Sequence, residues 1–273
     1  MIINCKGKLI DISSPKVMGI LNITPDSFFD GGMYKNETEI LNQVKKMLSE
    51  CATFIDVGAY SSRPGATHIS EEEELKRVVP IVKLLVHHFP EIIISVDTFR
   101  SNVAKKTIEA GAAIINDISG GKMDANMFKI VAELQVPYII MHMLGTPQSM
   151  QKKPKYEDVT KEVISFFAEQ IFKLHQLKVN DIIIDVGFGF GKTLEHNYEL
   201  LKSLSLFKNL SAPILVGLSR KSMLYKPLGT TPQLALNATT SANTIALLNG
   251  ANILRVHDVK EAVEAIKIVE QLN

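Results

Sequence analysis

Short apolar runs rich in β-branched residues recur along the whole chain. Eight of them have the length of a strand, at residues 17–22, 53–59, 92–98, 113–118, 138–143, 181–187, 213–219 and 251–256. Each run is apolar almost throughout, which is typical of strands in a parallel sheet that is covered on both faces. The pattern therefore predicts eight buried parallel strands.

Helical patterns lie between these runs. Residues 70–89 begin with Ser70 and Glu73, the spacing of a capping box, and continue with apolar residues at helical intervals. A second helix is predicted from a cap at Ser101 to Gly111. The alternation of strand and helix continues to the end of the chain, which is the order of a βα-repeat protein.

Eight such units in 273 residues predict one (β/α)₈ TIM barrel, α/β in class, that spans residues 1–273 as a single domain. A doubly wound open sheet is the alternative. Residues 1–13 resemble a β-hairpin that turns at Lys6–Gly7. We expect this hairpin to plug the N-terminal end, or bottom, of the barrel.

Composition excludes several classes of function. The net charge of +1 gives no basic surface for nucleic acid or for a membrane. No apolar run approaches the roughly 18 residues that a membrane span needs, and the N-terminus lacks the pattern of a signal peptide. Cys5 and Cys51 lie in no recognisable motif. These features predict a cytoplasmic protein with reduced cysteines.

Polar residues stand near the end of almost every predicted strand. In a barrel of this type the carboxyl ends of the strands form one mouth, where the chemistry takes place. Buried carboxylates without partners cost several kcal/mol, so a shared, ligand-filled mouth explains them best. The residues concerned are Asn22, Asp56, Asp97, Asn116, Asp117, Asp185, Lys221, Arg255 and His257.

Two groups can be distinguished among these residues. Three acceptors with a lysine suit a flat heterocycle that has N–H groups along one edge and a carbonyl on another; these are Asp97, Asn116, Asp185 and Lys221. Arg255 and His257 lie two apart on one face of a strand. With Asn22 they predict a separate cationic corner that suits an anion.

Two other features resemble sites but have the wrong spacing. Residues 187–193, GFGFGKT, are too closely spaced for a phosphate-binding loop, and we interpret them as a tight turn that lets backbone approach a ligand. His87, His88 and His142 lack the spacing of a zinc site. We expect His87 and His88 at a helix C-terminus, where the helix dipole favours them.

The order of motifs resembles one family along the whole chain, the dihydropteroate synthases of folate biosynthesis. The motifs are GILNITPDSFFDGG (19–32), SRPGA (62–66), SVDTFR (95–100), INDISGG (115–121), MHMLGTP (141–147), GFGFGK (187–192), GLSRKSM (217–223) and RVHDV (255–259). The family joins 6-hydroxymethyl-7,8-dihydropterin diphosphate to p-aminobenzoate, and it releases 7,8-dihydropteroate and diphosphate.

The resemblance implies roles for matching residues. It implies a pterin site of Asp97, Asn116, Met141, Asp185, Phe190, Gly217, Lys221 and Arg255. It implies a diphosphate site of Asn22, Arg255 and His257, with Asn22 also holding Mg²⁺. It assigns p-aminobenzoate and the closing loops to Thr24, Asp26, Phe28, Ser62, Arg63, Pro64, Lys221 and Ser222. Catalysis would fall to Lys221, Asp97, Asp185, Arg255 and His257.

The resemblance also implies a dissociative mechanism, competition by sulfonamides, and a homodimer formed through barrel helices away from the loops. A corrinoid-linked methyltetrahydrofolate methyltransferase and a degenerate pterin-binding paralogue are the alternatives. The chain departs from the family pattern in two places. Ala59, Tyr60 and Ser62 replace Gly, Glu and Thr, and Val186 replaces Pro. Loss of that Glu puts any salt bridge it makes in the loop in doubt.

Overall fold

The structure is a computed structural model that describes residues 1–23, 33–60, 68–150 and 154–272, with the helix backbone alone at 33–36. Six of the predicted site residues lie outside the described residues. They are Thr24, Asp26, Phe28, Ser62, Arg63 and Pro64.

Eight parallel strands close into a barrel, which confirms the predicted fold over the open sheet. The closed order is β10-β3-β4-β5-β6-β7-β8-β9. The barrel strands are β3 (Lys16–Asn22), β4 (Phe54–Gly58), β5 (Ile94–Asp97), β6 (Ile114–Asp117), β7 (Tyr138–Met141), β8 (Ile182–Asp185), β9 (Ile214–Val216) and β10 (Ile253–Val256). All eight fall on the predicted apolar runs, because strands covered on both faces need apolar residues at nearly every position.

Helices surround the barrel. They are α1 (Met33–Ser49), α2 (Glu71–His88), α3 (Ser101–Glu109), α4 (Met127–Leu134), α5 (Val159–Gln176), α6 (Leu194–Lys202), α7 (Ser222–Tyr225), α8 (Leu236–Leu248) and α9 (Val259–Val269). Short 3₁₀ helices follow at Leu204–Leu210, Pro232–Leu234 and Glu270–Leu272. Within the described ranges, no helix has the length and apolar character to cross a membrane.

The helix caps differ in part from the prediction. Ser70 Oγ accepts from the Glu73 backbone N–H at 3.2 Å, but the Glu73 carboxylate accepts from Arg77 Nε at 2.7 Å, so one half of the capping box is formed. Ser101 is the first helical residue rather than the cap, and its N–H, which has no partner within the helix, donates to Asp124 Oδ2 at 2.7 Å. His87 and His88 end α2, as predicted.

The N-terminal hairpin closes the bottom of the barrel, as expected. Strands β1 (Ile2–Cys5) and β2 (Lys8–Asp11) pair antiparallel around a turn with positive φ at Lys6 and Gly7. The buried Ile3, Cys5 and Ile12 join one apolar cluster with inward side chains of the barrel strands, including Met18, Phe54, Ile114, Ile139, Ile183 and Ile253. Burial of this cluster removes the open lower end of the barrel from water.

Strand alternation places a polar layer above this apolar floor. Phe54 lies in the floor cluster and Ile55 in the outer cluster against the helices, so Asp56 points inward again. The same two-residue period turns inward the residues that follow the floor in other strands. These are Ser95, Asn116, Asp185, Gly217 and Arg255. The lower barrel is therefore apolar and the upper barrel polar.

The glycine turn after β8 packs against protein backbone. Gly187, Gly189 and Gly191 all have positive φ, as in the tight turn that the sequence predicts. A Cβ at Gly187 would clash with the His142 carbonyl oxygen, and one at Gly191 would lie 2.5 Å from the Leu144 carbonyl oxygen. At these two positions the absence of a side chain leaves room for the backbone of the segment that follows β7, and Gly189 lies in the wall of a cavity.

Lys192 holds this turn from inside. Its Nζ donates to the carbonyl oxygens of Gly187, Phe190 and His142 at 3.0–3.1 Å and lies 3.0 Å from His142 Nδ1. Burial lowers the pKa of Lys192 to about 7 and that of His142 to about 2. The lysine of the GFGFGK motif is therefore a buried internal donor rather than a phosphate ligand.

Replacing Gly187 by alanine tests this packing, with Gly189→Ala as the matched control. Both positions have positive φ, but a Cβ at Gly189 meets only Lys221 Cδ at 3.6 Å. We expect Gly189→Ala to cost about 1 to 2 kcal/mol of unfolding free energy in urea denaturation. Gly187→Ala should cost more than about 3 kcal/mol because backbone must move. Equal losses would contradict the packing.

Candidate active site

A cavity of about 860 Å³ opens at the carboxyl ends of the barrel strands. Its walls contain every predicted site residue that the structure describes. These are Asn22, Asp97, Asn116, Met141, Asp185, Phe190, Gly217, Lys221, Ser222, Arg255 and His257. The topology thus brings together side chains that lie up to 235 positions apart in the sequence, from Asn22 to His257 (257 − 22 = 235).

Asp185 presents one carboxylate oxygen to this cavity. Its Oδ1 accepts from the Gly187 N–H at 2.8 Å, and its Oδ2 lies beside Gly217, 4.0 Å from where a Cβ would stand. Burial raises the pKa of Asp185, and the Coulombic attraction of Lys221 opposes the shift. Asp185 is therefore a partly compensated acceptor that still faces the cavity.

Arg255 joins two carboxylates on the barrel axis. Its Nε donates to Asp56 Oδ2 at 2.7 Å, and its Nη2 lies 2.6 Å from the same oxygen and 3.2 Å from Asp97 Oδ2. The sequence predicted Arg255 in a separate corner with Asn22 and His257, and the structure adds a contact with Asp97 of the acceptor group, so the two groups share this side chain. A guanidinium inside a barrel needs carboxylates around it, and the inward positions of β4 and β5 supply them.

The carboxyl group of Asp97 has a strongly raised pKa. Burial raises its pKa to about 7, Arg255 opposes the shift, and the negative charge of Asp56 adds to it. Asp97 Oδ2 is shared with Arg255, and only about 14% of the side chain is exposed. Near pH 7 the site therefore holds a carboxyl group that is close to its midpoint.

Lys221 stands at the N-cap of α7, over the glycine turn. Its Nζ donates to the Phe188 carbonyl oxygen and lies 4.9 Å from the centre of the Phe190 ring. Burial lowers its pKa to about 8, which the charge of Asp185 opposes. The preceding Arg220 binds Asp258 through two nitrogens at 3.0 and 2.5 Å, which ties the loop after β9 to the loop after β10.

His257 and Asn22 lie at the rim on the β10–β3 side. The backbone N–H of His257 donates to Ser219 Oγ at 3.2 Å, and its Nδ1 lies 3.0 Å from the same oxygen. Asn22 Oδ1 and Asp97 Oδ2 both lie 3.7 Å from the point where a Cβ at Gly58 would stand. Gly58 thus leaves room between the amide oxygen and the carboxylate.

The sequence places Asp56 and Asp117 near strand ends without a role and assigns Asn116 to the acceptors. In the structure Asn116 faces the cavity, whereas Asp117 faces outward and accepts from Tyr138 Oη and Ser119 Oγ. Asp56 is fully buried beneath the cavity. Strand alternation counted from Phe54 and Ile114 is the signal that would have assigned both carboxylates.

Tyr60, one of the departures from the family pattern, lies in the cavity wall. Its hydroxyl accepts from Gln148 Nε2 at 3.1 Å and is 3.2 Å from His68 Nδ1. Its ring meets Phe99 edge-on, with centroids 5.1 Å apart. The phenol thus joins the segment before α2 to the segment after β7 without a carboxylate. Val186 is fully buried after β8.

The mouth of this barrel combines buried acceptors with cationic side chains. Comparison with protein families places the chain among the pterin-binding enzymes. The profile of the family described as "Pterin binding enzyme" matches residues 18–257. The chain belongs to the dihydropteroate synthase family.

Relatives over nearly the full length carry that assignment. The dihydropteroate synthase of Escherichia coli K12 is 45% identical over 97% of this chain and 94% of its own length. The enzyme of Streptococcus pyogenes is 39% identical, covering 97% and 98%. A Yersinia pestis dihydropteroate synthase in a sulfonamide drug complex superposes with a TM-score of 0.93 at 43% identity, covering 100% and 99%. The Xanthomonas albilineans enzyme in complex with 7,8-dihydropteroate has a TM-score of 0.89 at 34% identity, covering 100% and 98%.

The raised pKa of Asp97 predicts a specific pH dependence of stability. A carboxyl group whose pKa rises on folding holds its proton more tightly when folded, so its contribution to stability falls from about pH 4 to about pH 7. Asp97→Asn removes this loss. The unfolding free energy of the variant, relative to wild type, should rise over that range in urea denaturation and level off above it.

Asp158→Asn is the control, since the pKa of Asp158 is lowered by hydrogen bonds at the start of α5. An aspartate of that kind stabilises the fold above its unfolded pKa, so the relative stability of this variant should fall as pH rises. A flat difference for Asp97→Asn would contradict the assignment of a raised pKa.

Proposed function

We propose that this chain joins 6-hydroxymethyl-7,8-dihydropterin diphosphate to p-aminobenzoate, as a transferase of folate biosynthesis that forms 7,8-dihydropteroate and diphosphate. The observation that carries the proposal is one cavity with a row of buried acceptors, Asp97, Asn116 and Asp185, beside the cations Lys221 and Arg255. Family membership supports it, as do the Xanthomonas albilineans relatives solved with 4-aminobenzoic acid and with 7,8-dihydropteroate.

The pterin ring is proposed to lie across the upper barrel. Its N–H edge donates to Asp185, Asn116 and Asp97. A ligand edge without donors would leave these buried acceptors unpaired and would therefore bind more weakly. Lys221, with a pKa of about 8, is mostly protonated at pH 7 and donates to the ring carbonyl side. Met141, Phe190 and Gly217 give the ring flat apolar walls, and Arg255 stacks on one face.

The diphosphate is proposed to sit toward the rim, near Asn22, His257 and Arg255. Mg²⁺ usually takes one or two protein oxygens and completes its shell with water and substrate phosphates. The Asn22 amide oxygen at the cavity wall fits such a shared site. In the part of the chain that is described, no cluster of three acidic, histidine or cysteine side chains forms a site held by protein alone. When bound, Mg²⁺ supplies charge that stabilises the departing diphosphate.

The reaction is proposed to begin with cleavage of the C–O bond between the pterin methylene and the diphosphate. The diphosphate keeps the electron pair, and the pterin carries the positive charge, which Asp97 and Asp185 stabilise from the ring edge. The amine of p-aminobenzoate then forms a bond to the methylene carbon with its lone pair, and the resulting ammonium passes one proton to the departing diphosphate or to water. An arylamine is a sufficient nucleophile for such a cation, so the mechanism assigns no strong general base.

The p-aminobenzoate pocket is proposed to form over this site from Lys221 and Ser222 with residues outside the described ranges. Those residues are Thr24, Asp26, Phe28, Ser62, Arg63 and Pro64. Sulfonamides, one of which is bound in the Yersinia pestis relative, are proposed to compete there. Of the departures from the family pattern, Ser62 belongs to this proposed pocket and Tyr60 lies two residues before it in the sequence.

A homodimer in the cytoplasm is the proposed assembly. Ile245 and Leu248 are exposed apolar side chains of α8, away from the cavity wall residues, and suit a contact between copies. The thiols of Cys5 and Cys51 are both free, which fits a reducing compartment.

Turnover by purified protein tests the proposed function directly. With Mg²⁺, the pterin diphosphate and p-aminobenzoate, we expect equal amounts of dihydropteroate and diphosphate, measured by chromatography and by a coupled diphosphate assay. Omission of p-aminobenzoate is the control. Tight pterin binding without product would favour the degenerate paralogue, and methyl transfer from methyltetrahydrofolate to a corrinoid would favour the methyltransferase.

Arg255→Ala tests how much Arg255 contributes to binding of the pterin ring and how much to binding of the diphosphate. The variant loses a cation beside the anion and a stacking surface, so affinity for the pterin diphosphate should fall at least tenfold further than affinity for the pterin alcohol. Calorimetry with both ligands measures the difference, with His257→Ala compared in parallel. Equal losses for the two ligands would mean that Arg255 acts on the ring alone.

A further inference from the structure

Asp56 is a carboxylate that the proposed mechanism does not use. It lies inside the barrel in the middle of β4 with no exposed surface. Its Oδ1 accepts from Ser95 Oγ at 2.6 Å, and its Oδ2 accepts from Arg255 Nε at 2.7 Å and from Asn116 Nδ2 at 3.1 Å. All its partners are protein donors, so it cannot touch a substrate directly.

The charge of Asp56 dictates what its neighbours do. A carboxylate only accepts hydrogen bonds, and Arg255 contacts Oδ2 of this one through both Nε and Nη2. The Asn116 side chain has one end that donates and one that accepts. Facing an anion, it must turn its NH₂ toward Asp56, and its carbonyl oxygen is then the end that remains for the cavity.

This constraint matters because Asn116 is the residue among these acceptors whose side chain can also present a donor. Asp97 and Asp185, when ionised, present oxygens in any rotamer, whereas an amide presents oxygen or nitrogen with nearly the same shape. An Asn116 turned by half a rotation would set N–H against the N–H edge of the ring. Two buried donors would then face each other and both would be unpaired.

We propose that Asp56 is a positioning residue that fixes the amide of Asn116 with its oxygen toward the pterin ring, and so makes the cavity specific for a donor edge. The proposal rests on the proposed function, because it takes the ring edge as the ligand of Asn116. Arg255 supports it from the other side, because its guanidinium pairs with the Asp56 carboxylate.

A double-mutant cycle tests the proposal, with 6-hydroxymethylpterin as the probe and calorimetry as the readout. We expect Asp56→Ala and Asn116→Ala each to weaken binding at least tenfold. If Asp56 acts through Asn116, the double variant binds within about threefold of Asn116→Ala alone. Losses that multiply in the double variant would overturn the proposal, as would an Asp56→Ala variant with wild-type affinity.

Two further variants separate orientation from a general structural effect. Asp56→Asn keeps an oxygen that Arg255 holds toward Asn116, so it should bind the pterin within about fivefold of wild type. Ser95→Ala removes the bond to the other oxygen and should bind within about threefold. A tenfold loss in either would overturn the proposal, and Asp56→Ser takes the place of Asp56→Ala if the alanine variant does not fold.

The proposed function and this inference fail differently in the same experiment. Wild-type protein that does not bind 6-hydroxymethylpterin would refute the pterin site itself. Wild-type binding with multiplicative losses in the cycle would leave the pterin site standing and refute the role of Asp56.

Discussion

The upper half of this barrel depends on the burial of one guanidinium among carboxylates. Arg255 enters the barrel from β10 and contacts Asp56 from β4 and Asp97 from β5. A charge in that position is costly unless it is paired, and a carboxylate in that position is costly for the same reason. Each therefore stabilises the others, and the arrangement also sets the direction of the Asn116 amide, whose Nδ2 donates to Asp56 Oδ2.

The apolar floor beneath this network gives it a fixed frame. The hairpin residues Ile3 and Ile12 close the barrel from below. Two hydrogen bonds between backbone and side chain anchor the hairpin: the Asn4 N–H donates to Asp181 Oδ2 at 3.0 Å, and Asn252 Nδ2 donates to the Ile12 carbonyl oxygen at 3.1 Å. Lys192 and the glycine turn fix the rim near Phe190. Polar groups that are held in this way need little rearrangement when a ligand binds, so the free-energy cost of reorganisation is small.

Much of this could be predicted from the sequence, for identifiable reasons. Strands buried on both faces are apolar at almost every position, so all eight were found, and βα alternation then implied the barrel. Strand ends meet at one mouth in any such barrel, so the cavity residues from Asn22 to His257 could be grouped without knowing a distance. The turn at Lys6–Gly7 could be predicted because a tight hairpin turn needs residues with positive φ, which glycine adopts readily.

The pairings inside the barrel could not be predicted in the same way. Asp56 and Arg255 are 199 positions apart, and nothing in either local segment specifies the other. Giving Asp56 a role needed the inward register of β4, which the apolar run alone does not mark. The same limit hid the contact of Arg255 with Asp97, because a side chain as long as arginine reaches partners on strands other than its own neighbours.

The resulting cavity combines a row of acceptors, which faces the pterin ring, with cationic side chains near the diphosphate. This charge pattern favours separation of a pterin cation from a diphosphate. A crystal structure of the protein with 6-hydroxymethylpterin diphosphate bound tests this account most directly. The account predicts the N–H edge of the ring on Asp97, Asn116 and Asp185, the diphosphate beside Asn22 and His257, and Arg255 still bound to Asp56. A ring that turns its N–H edge away from these acceptors, or an Arg255 that leaves Asp56, would contradict it.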